Sequence, residues 1–143
     1  MAVAVVDSNI LIDYKDTSQA TRHERAEEIV YGIDSGALPT TRVTNYVLLE
    51  SLNWMHERQR HEIAVDLRSR LADSAGFEIV QCAQKDFHRA VELFESHSRL
   101  SFGDATIFAY MERTGIEYLY SFDDDFDGIE GVSRLETAEN PFE

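Results

Sequence analysis

The chain has 143 residues, about the size of one domain, and 43% of them are hydrophobic, which excludes a disordered acidic tail. It carries 27 Asp and Glu against 13 Lys and Arg, and the resulting net charge of −14 opposes nucleic-acid binding at low salt. The single cysteine, Cys82, excludes an internal disulfide and a multi-cysteine zinc site. The longest apolar run, Met1–Val6, is too short to span a membrane. We expect a soluble cytoplasmic protein with one domain over residues 1–143.

Two explanations of the acidity stay open. The first is an ordinary solubilising surface. The second is a cytoplasm at molar salt, where the Debye length falls to about 3 Å and repulsion between charges is screened. The basic residues are 11 Arg and only 2 Lys, and this bias fits the second, halophile-like explanation.

Short apolar segments alternate with amphipathic segments along the chain, as in Val3–Val6 followed by a helix capped at Asp7. This alternation predicts a three-layer α/β/α fold around a central, mostly parallel sheet. The predicted strands are Val3–Val6, Leu38–Thr41, Phe77–Val80, Tyr118–Ser121 and Ser133–Glu136. The predicted helices run from Asp7 to about Tyr14, Ser18 to Gly36, Thr44 to Arg58, Arg60 to Ala75, Lys85 to Ser98 and Asp104 to Thr114.

Four acidic residues occupy positions where an α/β sheet places its chemistry. Asp7 and Asp123 each follow a predicted strand, and ligands bind outside the carboxyl ends of parallel strands. Asp104 opens a helix, and Glu50 lies in a helix that is otherwise apolar on that side. If the four converge, their like charges oppose folding, and a hard divalent cation such as Mg²⁺ or Mn²⁺ resolves the conflict. Such a site supports metal-assisted hydrolysis of a phosphodiester.

Each acid also has an ordinary structural explanation. Asp7 would serve as a helix cap, and Asp104 as the far end of a capping box that begins at Ser101. Glu50 would face solvent, and 123–127 would be a solvated run of charge. The joint pattern, rather than any single acid, therefore favours a metal site.

Other chemistries have less support in the sequence. The histidines show no HExxH spacing, and there is no phosphate-binding glycine loop. Cys82 is typical of a small core residue rather than a nucleophile. Tyr46, Trp54 and Phe108 lie at helical spacings and are expected in the core rather than in a platform that stacks bases.

Four segments that contain these acids resemble the PIN-domain family. Val5–Asp13 (VVDSNILID) resembles the family's opening strand and Asp-Ser/Thr-Asn-Ile-Leu motif. Thr44–Ser51 (TNYVLLES) resembles its helix that carries a Glu, and Ser101–Tyr110 (SFGDATIFAY) resembles its segment with Asp before an Ala-rich helix. Leu119–Phe126 (LYSFDDDF) resembles the family's acidic ending. The segments come in the family's order and span nearly the whole chain.

The resemblance implies a PIN-like fold and a nuclease that uses Mg²⁺ or Mn²⁺. The catalytic and metal-binding residues that it implies are Asp7, Glu50, Asp104 and Asp123. Supporting residues are Ser8, Asn9, Ser121 and Asp125. Close to the proposed site, we expect two arginines to bind substrate phosphates, Arg42 and Arg99.

The resemblance also implies partners. Small single-domain PIN toxins, the VapC group, cleave RNA, tend to form homodimers and are held inactive by a small antitoxin. This chain has their size. Apolar residues that a small core would not fully cover, such as Trp54, Met55 and Phe94, also favour a homodimer.

Two other functions stay open at this point. A phosphatase-like hydrolase would use Asp7 as nucleophile, although that chemistry usually has Asp-x-Asp and here Asn9 fills the second position. A PIN-like scaffold would bind a partner without cleaving anything.

Overall fold

The computed structural model describes residues 2–143, in which two helices follow each of the first three strands and a short 3₁₀ turn separates the last two. The strands are β1 (Val3–Val6), β2 (Thr40–Thr44), β3 (Phe77–Val80), β4 (Tyr118–Tyr120) and β5 (Ser133–Leu135). The helices are α1 (Ser8–Lys15), α2 (Ala20–Ser35), α3 (Asn45–Arg58), α4 (His61–Asp73), α5 (Gln84–Ser96) and α6 (Phe102–Thr114).

The strands form one sheet in the order β3-β2-β1-β4-β5, and all four pairings that the structure describes are parallel. The helices flank the sheet, which confirms the predicted three-layer α/β/α fold. The central strand β1 is a short continuous apolar run because both of its faces are covered; Ala4, Val5 and Val6 are fully buried.

The order of the strands places the ends of β1 and β4 side by side. Val6 pairs with Tyr120, and the backbone N–H of Asp7 donates to the Tyr120 carbonyl over 2.9 Å. Residues that follow these two strands therefore meet at the carboxyl edge of the sheet, where ligands bind in open α/β folds.

Strand β2 differs from its predicted bounds. It spans Thr40–Thr44 rather than Leu38–Thr41, and it pairs with β3 from Thr41 through Thr44. The segment is rich in β-branched residues, which favour a strand, and Pro39 before it has no N–H to donate to a sheet. The strand therefore begins after the proline and extends three residues farther than the sequence indicates.

Helix α6 begins at Phe102, two residues before the predicted start at Asp104. The Ser101 side chain accepts from the Asp104 N–H over 3.1 Å, and the Asp104 carboxylate accepts from the Ser101 N–H over 3.3 Å. This capping box fixes the first turn and turns Asp104 toward the carboxyl edge of the sheet.

Exposed apolar residues are distributed differently from the expectation. Met55 is fully buried in the core, so it adds nothing to a dimer surface. Helix α5 instead presents an apolar stripe in which Phe87, Val91 and Phe94 are between 36% and 46% exposed. Among residues 2–143, no helix is both long enough and apolar enough to cross a membrane.

Candidate functional site

Three carboxylates from separate parts of the chain meet at the carboxyl edge of the sheet. Asp7 follows β1, Asp104 lies in the first turn of α6, and Asp123 follows β4. One carboxylate oxygen of each lies within 4.8 Å of those of the other two. Asp7 and Asp104 are buried, and Asp123 is half-buried.

The Asp7 carboxylate is held by three neighbours. Its Oδ1 caps α1 by accepting from the Ser8 N–H over 2.7 Å. Its Oδ2 accepts from Ser121 Oγ over 2.7 Å and from Asn9 Nδ2 over 3.2 Å. The predicted helix cap and the predicted site residue are therefore the same side chain, and the cap fixes its orientation.

The segment after β4 is attached to β1 through the same residues. Asn9 Oδ1 accepts from the Phe122 N–H over 3.1 Å, and Ser121 Oγ accepts from the Asp123 N–H over 3.0 Å. The Asp125 N–H donates to Asp123 Oδ1 over 2.9 Å at the start of a short 3₁₀ turn. Asn9, Ser121 and Asp125 thus position the carboxylates of Asp7 and Asp123.

Glu50 reaches the same cleft from α3 and lines it together with Asp7 and Asp104, outside the cluster of three aspartates. Ser8 Oγ donates a hydrogen bond to Glu50 Oε1. Glu50 Oε2 lies 3.2 Å from the position that a Cβ on Gly103 would occupy, so the absence of a side chain there leaves room for the carboxylate. Glu50 is more exposed than Asp7 and Asp104.

Burial and mutual repulsion shift the acidity of the two buried aspartates. Burial is the main reason that the pKa of Asp7 is raised to about 6. The hydrogen bonds from Ser121 and Ser8 lower this pKa, and the nearby charge of Glu50 raises it. Burial and the charges of Asp7 and Asp123 raise the pKa of Asp104 to about 7. Without a bound cation, both carboxyls thus have pKa values close to neutrality.

The donor set fits a hard divalent cation. All candidate ligand atoms of Asp7, Asp104 and Asp123 are carboxylate oxygens, which Mg²⁺ and Mn²⁺ prefer, and the cleft leaves room for coordinated waters. A second cluster, Asp123 to Asp125, is less suited because Arg99 already neutralises Asp125. The residues that would hold the cation are therefore the first three.

Side chains of α3 form one side of the cleft. The cleft encloses about 450 Å³, and its lining includes residues at four-residue intervals, Tyr46, Glu50, Trp54 and Arg58. Trp54 packs against the core as expected but is only half-buried and also lines the cleft. Tyr46 is half-buried and lines the cleft, whereas Phe108 is buried as expected. The spacing of four in the sequence was the signal for this row.

The two predicted phosphate-binding arginines are placed differently. Arg42 does not line the cleft; it donates to Tyr110 Oη over 3.1 Å and lies 3.8 Å from Glu78. Because β2 continues to Thr44, Arg42 lies inside the strand rather than at its end. Arg99 borders the acidic segment but is paired with Asp125. Arg58, which sequence reasoning missed, lines the cleft.

Solved structures with the same fold cover nearly the entire chain. VapC20 from Mycobacterium tuberculosis, a toxin that cleaves the sarcin–ricin loop, has a TM-score of 0.74 and 26% identity, over 90% of this chain and 98% of the other. A toxin–antitoxin complex from Klebsiella pneumoniae has a TM-score of 0.64 and 25% identity, over 96% and 98%. PAE2754 from Pyrobaculum aerophilum has a TM-score of 0.64 at 17% identity, over 95% and 92%, which shows the fold alone.

Among proteins of curated function, none matches the sequence. The family model of the PIN domain matches residues 4–132, a range that contains all three clustered aspartates and Glu50. The match agrees with the parallel sheet, with the convergence of carboxylates at its edge and with the similar solved structures. The chain belongs to the PIN domain family.

Proposed function

We propose that this protein is an endoribonuclease that depends on Mg²⁺ or Mn²⁺ and acts as the toxin of a toxin–antitoxin pair in the cytoplasm. The observation that carries the proposal is the convergence of Asp7, Asp104 and Asp123 within 4.8 Å, next to Glu50. The similarity to VapC20 and to a toxin–antitoxin complex supports RNA as substrate and an antitoxin as partner.

In this proposal the three aspartates hold the cation, and each has a fixed place. A bound cation would lower the pKa of a coordinated water and neutralise charge on the phosphodiester. Ser121 and Asn9 keep the Asp7 carboxylate oriented. Ser8 holds one oxygen of Glu50, which leaves the other oxygen to accept a proton from the attacking water.

The surroundings of Asp7 favour this chemistry over a phosphatase-like reaction. Both of its oxygens already accept hydrogen bonds, Oδ1 from Ser8 and Oδ2 from Ser121 and Asn9. These bonds fix the orientation of the carboxylate and leave lone pairs on its oxygens for a cation. Enzymes with a nucleophilic aspartate usually carry a second acid two residues later. The position that such enzymes fill with a second acid is Asn9, which bonds instead to the Phe122 backbone.

A cleavage assay tests the proposal directly. We expect the wild-type protein to cut RNA with Mg²⁺ or Mn²⁺, to stop when a chelator is added and to be inactive as Asp7→Asn. A scaffold without activity would leave RNA intact under every metal condition. A phosphatase would release phosphate from a monoester and would leave internal phosphodiesters uncut.

We expect the protein to form a homodimer through the apolar stripe of α5. Phe87, Val91 and Phe94 are exposed at helical spacing, and pairing two copies would remove them from water. Light scattering at micromolar concentration should give twice the chain mass for the wild type and the chain mass for Phe94→Asp. As a control, Phe142→Asp, an equally exposed aromatic at the C terminus, should stay dimeric. A monomeric wild type would refute this prediction.

We expect cleavage to rise, or at least to hold steady, as KCl increases while Mg²⁺ or Mn²⁺ is saturating. Phosphate contacts normally weaken with salt, but the net charge of −14 adds long-range repulsion that salt screens. Stability should follow the same trend, because repulsion among 27 acids is screened as well. The measurements are the cleavage rate and Tm across a KCl series. A steep decline of both would identify the acidity as an ordinary solubilising surface.

A further inference from the structure

Trp54, the only tryptophan of the chain, packs against the core on one side and borders the carboxylate cleft on the other. It is half-buried, it lines the carboxylate cleft, and the Arg58 guanidinium lies 5.5 Å from its ring centroid. Tyr46 lies two helical turns earlier on the same row and also lines the cleft. Two flat rings and a guanidinium thus flank Glu50 on one face of α3.

We propose that this row, the α3 wall of Tyr46, Trp54 and Arg58, binds unpaired bases of single-stranded RNA next to the phosphodiester that is cut. The proposal rests on the proposed nuclease function and assigns these three residues a role in substrate selection. Trp54 lies one helical turn, about 6 Å along the axis, from Glu50. A nucleotide whose phosphate reaches the carboxylates would therefore bring its base to the wall.

The charge of the cleft favours contacts to bases over contacts to phosphates. The carboxylates that line it are Asp7, Glu50, Glu57 and Asp104, whereas Arg58 is the cation among the described lining residues. With a chain charge of −14, general attraction for phosphate is weak. Apart from the phosphate that the cation would hold, affinity for RNA must then come from the neutral part of the nucleotide, and aromatic rings stack on any base.

The same argument selects unpaired RNA over duplex. In a duplex the faces of the bases are covered by their neighbours, whereas bases of loops and single strands can be splayed out and stacked on aromatic or guanidinium planes. A side chain that stacks on bases should therefore discriminate by strandedness and only weakly by sequence.

The fluorescence of Trp54 reports on the wall directly, because no other tryptophan contributes. We would titrate the Asp104→Asn protein, which is expected not to cleave, with a short RNA that lacks self-complementarity. The probes for comparison are the same RNA as a duplex and the same backbone with abasic sites. We expect strong quenching by the single strand and little by the other two. Equal quenching and equal affinity for all three would overturn the proposal.

Substitutions of Trp54 distinguish the loss of base stacking from the loss of side-chain volume. In cleavage of the single strand, Trp54→Leu should raise KM by roughly 5- to 100-fold, the range for loss of one base–aromatic stack, with kcat little changed. Trp54→Phe keeps a flat ring and should recover most of the loss. Phe142→Leu is the matched control, because Phe142 packs on Tyr118 at the start of β4, the opposite edge of the sheet from the site.

The outcomes distinguish this proposal from the nuclease function itself. If the wild type cuts RNA but Trp54→Leu keeps the wild-type KM for single strand and duplex, the α3 wall does not bind bases and the nuclease function stands. If the wild type cuts no RNA with Mg²⁺ or Mn²⁺, the nuclease function fails, and the α3 wall loses the role in substrate selection proposed for it.

Discussion

Replacing Asp104 with Asn is expected to abolish RNA cleavage and, at the same time, to stabilise the metal-free protein. The substitution removes a candidate metal ligand, and even residues that only support ligands cost about 10- to 100-fold when they are lost. It also removes a buried charge that faces Asp7 and Asp123. The amide keeps an oxygen for the Ser101 N–H, so the capping box survives.

The size of the stabilisation follows from the raised pKa of Asp104. Its shift to about 7, after allowance for partial screening by solvent, corresponds to about 1–2 kcal/mol near pH 8. Thermal melts in chelator should therefore show Tm higher by roughly 3–8 °C than in the wild type. Asp66→Asn is the matched control, since it removes the same charge from an exposed position on α4 that pairs with Lys15. A lower Tm for Asp104→Asn, or retained cleavage, would contradict the assignment.

Without metal, the free energy of unfolding is expected to fall as the pH rises through neutrality. The pKa values of Asp7 and Asp104 rise from 3.8 in the unfolded chain to about 6 and about 7 in the folded protein. At pH values between the unfolded and folded pKa, the native state binds more protons than the unfolded state. The stability that these two groups contribute is therefore complete below 3.8 and is lost progressively until the pH has risen through 6 and 7. For buried Asp7 alone the loss is on the order of 3 kcal/mol.

Chemical unfolding in chelator at about pH 5 and at about pH 8 measures the part of this loss that occurs above pH 5. Adding Mn²⁺ at the higher pH should restore the stability, because a ligand that binds only the folded state stabilises it. The Asp104→Asn protein should show a smaller dependence on pH than the wild type. Equal stability at both pH values, with no effect of Mn²⁺, would mean that the carboxylates neither repel one another nor bind a cation.

The sequence predicted those parts of the fold whose signals are local. Val3–Val6 is apolar throughout because both faces of β1 are covered, and Gly36 ends α2 in the left-handed conformation with φ of 84°. The four acids were identifiable because each stands at the end of a strand or near the start of a helix. One domain over residues 1–143 stays a prediction.

The errors come from features that depend on neighbours in space. β2 is a strand to Thr44 because it pairs with β3, and local preferences alone placed its end at Thr41. The misplacement of Arg42 follows from that boundary. For Trp54, helical spacing cannot distinguish a face that meets the core from a face that lines a cleft. Only the position of α3 beside α6 shows that the face with Trp54 lines a cleft.

The central claim is that Asp7, Asp104 and Asp123 bind the divalent cation that RNA cleavage requires. The most direct measurement is a calorimetric titration of Mn²⁺ into the wild type, Asp104→Asn and Asp66→Asn at about pH 8, where the carboxylates are ionised in all three. The account predicts that the wild type and Asp66→Asn bind Mn²⁺ with the same affinity, while binding to Asp104→Asn is weakened at least about tenfold. Equal binding by all three proteins, or no binding by the wild type, would contradict it.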